Sequence, residues 1–478
     1  MNQTAAHTSL DLSTFKGQNF AVLGLGVSGL SAATALQTAG ARVQPWDDSP
    51  DRRDSAAAQG LHPTDLNEAD FTTINTLVLS PGIPHGHPHS HPIIERAREA
   101  GCEIVCDLEL LTRAETDARY VGITGTNGKS TTTALIGHVL SELGVANAIG
   151  GNIGAPGLSL PAMGHSGVYV LELSSYQLEL LPSSVFDVAI LLNITPDHLD
   201  RHGGMDGYVA AKQRIFEGQT TTATAIIGID DDPCNAIFND LRAGRDAGIV
   251  SLSTRKACAG GIYVAQGWLI DDRQNKAEPV LELASLDTLP GAHNAQNVAA
   301  AYAATSVIAG AAGDISREDI IAAIRSFPGL AHRQELVGFR QSVRFVNDSK
   351  ATNAEAAAHA LAAYDNIIWI AGGIAKDGGI DALDGLFDRI DHAFLIGDAA
   401  NAFAKTLDGH VPSTISGDLA TAVADAAHLA GDGPTTVLLS PACASFDQFA
   451  SFEARGDAFK AAVHALDGFF LPNTGGTA

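Results

Sequence analysis

Lys129 and Ser130 close a glycine-rich turn, and their spacing suits phosphate chemistry. The run Tyr120-Val-Gly-Ile-Thr-Gly-Thr-Asn-Gly-Lys-Ser-Thr-Thr-Thr133 passes from an apolar strand-like stretch into that turn. A helical pattern follows, with Ile136, Val139, Leu140 and Leu143 on one face. Glycines let backbone N–H groups close around phosphate oxygens, a lysine reaches the outer phosphates, and the adjoining hydroxyl can ligate Mg²⁺. Ile123 stands where the longer form of this loop has its first glycine, which leaves the compact form Gly125-Thr126-Asn127-Gly128-Lys129-Ser130-Thr131. A plain strand-to-helix loop is the alternative, and the flanking elements argue against it. These residues predict a nucleoside triphosphate site.

Two further strands end in polar clusters. Val168 to Glu179 puts Glu172 at a strand's carboxyl end, and Val188 to Arg201 does the same for Asp197, His198 and Asp200. Ligands gather beside the carboxyl ends of strands in open parallel sheets, so both clusters are expected to face the phosphate loop. A carboxylate in a run as apolar as that around Glu172 calls for a metal or a partner rather than free solvent. Lys212, within Tyr208-Val-Ala-Ala-Lys-Gln-Arg-Ile-Phe216, reads by itself as a surface lysine on a helix. Near the start, Phe20 to Gly29 forms a strand and a Gly24-x-Gly26-x-x-Gly29 turn, with Asp47 and Asp48 about twenty positions on. That turn suits NAD, FAD or any diphosphate on a helix N-terminus. His85-Gly-His-Pro-His-Ser-His91 alternates four histidines and reads as an exposed loop with no carboxylate behind the rings.

The elements that must hold these groups alternate strand and helix through the chain. A third such segment follows Gly329, with strands at Val343 to Val346, Ile367 to Ala371, Ala393 to Ile396 and Thr436 to Leu439. The fold class expected is α/β in three domains: a Rossmann-like domain over residues 1–107, a central phosphate-loop ATP-binding domain over 108–329 and a second Rossmann-like domain over 330–478. A chain of 478 residues is too long for one core. Its net charge of −25 disfavours nucleic-acid or anionic-membrane partners. Cys102, Cys106, Cys234, Cys258 and Cys443 form no C-x-x-C pair, which points to a reducing compartment. Met1 to Phe15 has no basic residue before an apolar core, unlike a signal peptide. Ala295 to Gly313 reads as a buried helix rather than a membrane span. A cytoplasmic monomer without membrane insertion is expected.

Four motifs in order resemble the Mur ligases, ATP-dependent amide ligases of peptidoglycan precursor synthesis: Gly125 to Thr131, Glu172-Leu-Ser-Ser175, Asn193-Ile-Thr-Pro-Asp-His-Leu-Asp200 and Asn347-Asp-Ser-Lys-Ala-Thr352. The resemblance spans nearly the whole chain. Gly24 to Ser31, Leu79-Ser-Pro-Gly-Ile83, Leu439 to Phe449 and Phe452-Glu-Ala-Arg-Gly456 are most similar to the members that use D-glutamate. The resemblance implies UDP-N-acetylmuramoyl-L-alanine and D-glutamate as substrates, with ATP and two Mg²⁺. Lys129, Glu172, His198 and Lys212 would be catalytic. Ser130 and Glu172 would hold one metal ion, and His198 with a carbamylated Lys212 the other. Asn294, Asn297, Arg333 and Asp348 would join the phosphate loop in binding ATP. Val27, Ser28, Asp47, Ser80, Gly82 and Asn152 would bind the UDP-substrate, and Thr352, Lys376, Ser445, Phe446 and Phe452 the D-glutamate. Closure is expected at hinges near Leu108 and Gly329.

Three other readings compete. A folylpolyglutamate synthase-like enzyme would have Gly after Lys129 and no glycine-rich first domain. A nicotinamide-dependent oxidoreductase would rest on Gly24 to Gly29 alone. A non-catalytic nucleotide binder would have no use for Glu172, His198 and Lys212 together.

Overall fold

Short apolar runs, buried on both faces and punctuated by glycine turns, build parallel sheets covered by helices. The computed structural model describes residues 9–244, 248–286, 288–312, 315–376, 378–431 and 433–471. Residues 1–8 of the stretch read as unlike a signal peptide, and Gly313, lie outside the described residues.

The first sheet contains β1 (Asn19–Leu23), β2 (Arg42–Trp46), β3 (Thr76–Leu79) and β4 (Glu103–Val105), all parallel in the order β2-β1-β3-β4. The second contains β5 (Arg119–Thr124), β6 (Asn147–Gly151), β7 (Val168–Glu172), β8 (Val188–Leu191), β9 (Thr224–Gly228), β10 (Ile249–Ser253), β11 (Ile262–Ala265), β12 (Trp268–Asp271) and β13 (Glu278–Glu282). Its order is β13-β12-β11-β10-β9-β8-β5-β7-β6, parallel from β6 to β11 and then antiparallel. The sequence reading found only β5, β7 and β8 of these. β12 and β13 escaped because the polar turn at 272–277 and the acidic ends of β13 hide short strands. The expected buried helix is present as Ala292–Ala312, and no described helix is long and apolar enough to cross a membrane.

These two sheets belong to one compact unit, comprising residues 1–283 and 293–325. One core runs from Leu12 to Ile237 beneath both. Leu108, where a hinge was expected, is fully buried in the helix Asp107–Ala114. That helix is tied down on both sides: Asp107 accepts from the Gly157 N–H, and the buried Glu109 carboxylate accepts from Ser183 and Ser184.

The second unit comprises residues 284–292 and 326–478. Its strands are β14 (Glu335–Arg340), β15 (Val343–Asn347), β16 (Ile367–Gly372), β17 (Ile374–Ala375), β18 (Ile390–Ile396), β19 (Ser413–Gly417), β20 (Thr436–Leu439), β21 (Cys443–Ala444) and β22 (Phe469–Phe470). The main sheet runs β19-β18-β16-β20-β15-β14-β22 and is parallel from β19 to β15. All four strands read from the sequence are in it. β17 and β21 leave the sheet and pair antiparallel as a small ribbon beyond the carboxyl ends of β16 and β20.

Candidate active site

The phosphate loop leaves β5 and enters the helix Lys129–Glu142 through Gly128, whose φ of 87° is left-handed. Register places the loop's neighbours. Ile123 of β5 lies beside Glu172 of β7, and Thr124 lies beside Leu191 of β8. The loop therefore sits between the two polar clusters, as expected from strand order. Asn193, one of the residues whose role sequence reasoning missed, pins it: the Thr126 N–H donates to the Asn193 carbonyl at 2.9 Å and the Asn127 N–H to Asn193 Oδ1 at 2.9 Å. Gln296 braces Asn193 from the helix Ala292–Ala312 through a 2.8 Å side-chain bond. The signal available was an amide as the first polar residue after the apolar run Val188 to Leu192.

Lys129 Nζ donates to the carbonyls of Gly125 and Thr126, at 2.8 and 2.9 Å. Lys212 Nζ donates to the same Gly125 carbonyl at 2.8 Å. Lys212 is 1% exposed, which overturns the surface-lysine alternative. Its helix Met205–Gln213 points it inward, over the Tyr208 ring at 4.7 Å. Burial and the neighbouring Lys129 charge pull the Lys212 ammonium down to about 7, so a large share of it is neutral near neutral pH.

Glu172 is 1% exposed, its Oε1 accepting from Asn152 Nδ2 at 2.8 Å. The Asn152 N–H bonds the Glu172 carbonyl as well, so Asn152, expected among the UDP-substrate contacts, also orients the carboxylate. Glu172 Oε2 is buried with no hydrogen-bond partner among the described residues. A buried carboxylate oxygen left unmet suits a cation. Among the described residues no group of three His, Cys, Asp or Glu could hold a metal ion. The unmet Glu172 oxygen beside a phosphate loop fits Mg²⁺, which takes one or two carboxylates and completes its shell with water and phosphate oxygens. Ser130 stands half-buried in the first turn of the same helix. His198 has a left-handed backbone (φ 51°), an uncommon state for a non-glycine residue, and its half-exposed ring lies 5.3 Å from that of Tyr176.

Asn294 and Asn297, expected among the ATP-binding residues, lie beside the phosphate loop and its helix. Asn297 Nδ2 bonds Asn294 Oδ1 at 3.0 Å, and Thr132 Oγ1 bonds Asn297 Oδ1 at 3.2 Å. A Cβ on Gly128 would come within 2.3 Å of that Asn297 oxygen.

The glycine turn after β1 opens the helix Val27–Thr38, which exposes Val27 and half-buries Ser28. Asp47 is buried; Oδ2 accepts from the Leu25 N–H at 2.7 Å and Oδ1 from the Ser49 N–H at 2.9 Å. Burial alone would raise its carboxyl, but these bonds and Arg52 hold it below the usual carboxylate range. Ser80 Oγ donates to the Gly24 carbonyl, and the Gly82 carbonyl accepts from Arg201. Arg53 lies over the Trp46 ring at 4.4 Å, and its guanidinium also donates to the Asp47 carbonyl.

The histidine loop is less free than expected. His85 Nε2 lies 3.1 Å from Glu179, and His91 Nε2 lies 2.9 Å from Asp48. Two rings therefore do have carboxylates behind them, supplied from distant sequence. Burial would raise Glu179, but hydrogen bonds from His202 and His85 outweigh it and hold it at about 2.

In the second unit, Arg333 lies between His332 and Gln334, both left-handed (φ 60° and 45°). Its Nε is buried without a hydrogen-bond partner among the described residues. Asp348 is buried, accepting from Ser440 Oγ at 2.7 Å and the Gln334 N–H at 3.2 Å. Burial outweighs these bonds and the Arg333 charge and pushes its carboxyl up to about 7. The β17–β21 ribbon brings exposed Lys376 and buried Ser445 to one end of the sheet, with Phe446 exposed next to Ser445. Thr352 is half-buried, and Lys350 lies 4.9 Å over the Phe452 ring.

A phosphate loop flanked by a buried carboxylate and a second, buried lysine defines a phosphate-transferring nucleotide enzyme. Three family models match in chain order: the Mur ligase MurD-like N-terminal domain over residues 18–106, the Mur ligase middle domain over 123–305 and the Mur ligase glutamate ligase domain over 332–443. A UDP-N-acetylmuramoylalanine–D-glutamate ligase of Caulobacter vibrioides is 51% identical over 460 residues, covering 95% of this chain and 97% of the relative. The ligase of the same name from Rhodospirillum rubrum is 50% identical, covering 96% of each. The chain belongs to the Mur ligase family. In fold it is similar to the UDP-N-acetylmuramate-alanine ligase MurC of Thermotoga maritima, with a TM-score of 0.56, 16% identity, and 94% of this chain and 99% of that one covered. MurF of Acinetobacter baumannii gives 0.54 at 20% identity, over 83% and 93%.

Proposed function

We infer that this chain joins D-glutamate to UDP-N-acetylmuramoyl-L-alanine in an ATP-dependent ligation that releases ADP and phosphate, a step of peptidoglycan precursor synthesis. The carrying observation is the identity of about half of all residues with D-glutamate ligases along nearly the whole chain. The domains proposed are residues 1–107 for the UDP-substrate, 108–329 for ATP and 330–478 for the amino acid.

Amide formation in water needs an activated carboxyl. The substrate carboxylate attacks the γ-phosphorus of ATP, ADP leaves, and the resulting acyl phosphate is attacked by the D-glutamate amine, with loss of phosphate. The obstacle is anion meeting anion, so fixed positive charge does most of the catalysis. Lys129 supplies one charge at the loop. Mg²⁺, when bound, would neutralise phosphate oxygens, with Ser130 and Glu172 holding one ion and His198 and Lys212 the other.

Lys212 takes that role as a carbamate. Formation needs the neutral amine, and its burial beside Lys129 favours that form. The carbamate would present oxygen ligands where an ammonium presents none. Val27, Ser28, Ser80 and Gly82 would contact the UDP-substrate, with Asp47 shaping the turn beneath it. Asn294 and Asn297 would meet ATP on its adenine side, next to the loop they adjoin, while Arg333 and Asp348 would offer it a cation and a carboxyl. Lys376, Thr352, Ser445 and the Phe446 backbone would hold the D-glutamate carboxylates, with Phe452 alongside. The five cysteines are buried and unpaired, in keeping with a cytoplasmic setting, and the monomer remains part of this reading.

Phosphate release, measured with ATP, UDP-N-acetylmuramoyl-L-alanine and a panel of amino acids, tests the assignment. D-Glutamate should far outpace D-alanine, L-alanine and diaminopimelate, because a site built for a second carboxylate leaves its donors unpaired with the others. Equal rates across the panel would refute it.

A further inference from the structure

Arg455 lies in the helix Phe452–His464, is 1% exposed, and has no carboxylate in ion-pair reach among the described residues. Burying a guanidinium without a counter-ion is costly unless its N–H groups are met. Here they are met by three separate turns. Nε donates to Ser349 Oγ at 2.9 Å, and Nη2 donates to the Ser349 carbonyl at 2.9 Å and the Cys443 carbonyl at 3.0 Å. Nη1 approaches the Gly372 carbonyl at 3.5 Å. Burial pulls Arg455 down to about 10, so it stays charged at neutral pH.

Each of those turns runs into a residue of the proposed amino-acid pocket: Ser349 precedes Thr352, Gly372 precedes Lys376, and Cys443 precedes Ser445. Two features show how closely the turns are packed on the guanidinium. Gly373 has φ +127°, and a Cβ there would lie 2.3 Å from the Ala444 carbonyl and 3.2 Å from Arg455 Nη1. Ser349 Oγ also donates to the Phe452 carbonyl at 2.8 Å, fixing the helix start that carries Phe452.

We propose that Arg455 is a positioning residue for the second substrate: its guanidinium sets the spacing of the three turns that carry Thr352, Lys376 and Ser445. The proposal rests on the assignment of these residues to D-glutamate. A planar fork of donors in fixed directions can bridge three chain segments at once, whereas the single nitrogen of a lysine cannot.

The test uses the full chain with Arg455→Lys, and Lys376→Met in parallel. Thermal melting checks folding, and KM is measured for ATP, UDP-N-acetylmuramoyl-L-alanine and D-glutamate. Hydroxylamine added in place of D-glutamate captures the acyl phosphate as a hydroxamate and reports the first half-reaction alone. In folded Arg455→Lys, KM for D-glutamate should rise about tenfold or more, while the other two KM values and the hydroxamate rate stay within about twofold. An unchanged KM for D-glutamate, or a parallel rise in all three, overturns the proposal. If Lys376→Met also leaves that KM unchanged, the pocket assignment itself has failed; if only Arg455→Lys leaves it unchanged, the positioning role alone is wrong. Should Arg455→Lys not fold, Ser349→Ala decides, since it removes one acceptor of the fork: a rise of about threefold in KM for D-glutamate alone supports the proposal, and no rise overturns it.

Discussion

Two glycine turns in the first unit follow a strand and open a helix, and they handle charge in opposite ways. The turn after β1 has no lysine; Asp47 binds the Leu25 N–H, and Ser80 caps the Gly24 carbonyl. The loop after β5 collects two lysines on one carbonyl, that of Gly125, with Glu172 on the adjacent strand. Backbone N–H groups at a helix start suffice to hold a diphosphate that does not react. Moving a phosphoryl group needs fixed positive charge in addition, and of these two turns only the second carries it. On the proposed function the backbone device is shared, and the side chains around it would decide between holding and transferring.

Removing the charge from the second loop should make it resemble the first. Lys129→Ala is expected to fold, to bind ATP more weakly, and to lose roughly 10³-fold or more in kcat, the scale of an electrostatic group acting in the transition state. Single-turnover hydroxamate formation checks this. A variant with kcat intact and only KM for ATP raised would reduce Lys129 to a holding group.

Lys212 tests the same contrast at the second cation. Lys212→Ala should lose about 10²-fold or more in turnover, with acetate restoring part of it by filling the ligand position. Because this amine sits near 7, it is mostly ammonium at pH 6 and mostly neutral at pH 8. Carbamylation, read as the added mass of one CO₂ in native mass spectrometry, should therefore grow as pH rises through 7 at fixed dissolved CO₂. Full activity of Lys212→Ala in CO₂-free buffer would exclude the carbamate.

What could be read from the sequence follows from how local each feature is. β5, β7, β8 and the four main strands of the second unit were legible because they are continuous apolar runs that end in polar turns. Short or edge strands such as β6, β14 and β19 were not, since β19 is exposed along most of its length and β6 is half glycine and polar. Glu172 and Lys129 announced themselves by type and place. Lys212 needed the family resemblance, because nothing in its helix marks the buried face as functional. The partners of His85 and His91, the Thr132 partner of Asn297 and the Ser349 and Gly372 partners of Arg455 come from positions far along the chain, and no local pattern encodes them. Asp47 shows how a residue legible by its spacing also takes on structural work: its carboxylate accepts from the backbone N–H groups of Leu25 and Ser49.

The glycines of the first turn give the smallest and most selective effects. Gly29 carries φ in the ordinary range, yet a Cβ there would lie 1.8 Å from the Gly24 carbonyl. That overlap is with backbone, so strand and helix must separate, and Gly29→Ala should cost on the order of 1–3 kcal/mol in stability. Gly26 differs. Its φ is −70°, and no protein atom lies within 4 Å of a Cβ built there. Gly26→Ala should therefore leave the melting temperature nearly unchanged, since the protein offers no clash. If the turn holds the diphosphate of the UDP-substrate, the added methyl stands where phosphate must approach the backbone. KM for UDP-N-acetylmuramoyl-L-alanine should then rise several-fold while KM for ATP does not move, a split that kinetics on the two substrates reads directly. Unchanged KM values in a stable Gly26→Ala would place the diphosphate elsewhere and would leave this turn a purely structural joint between β1 and its helix.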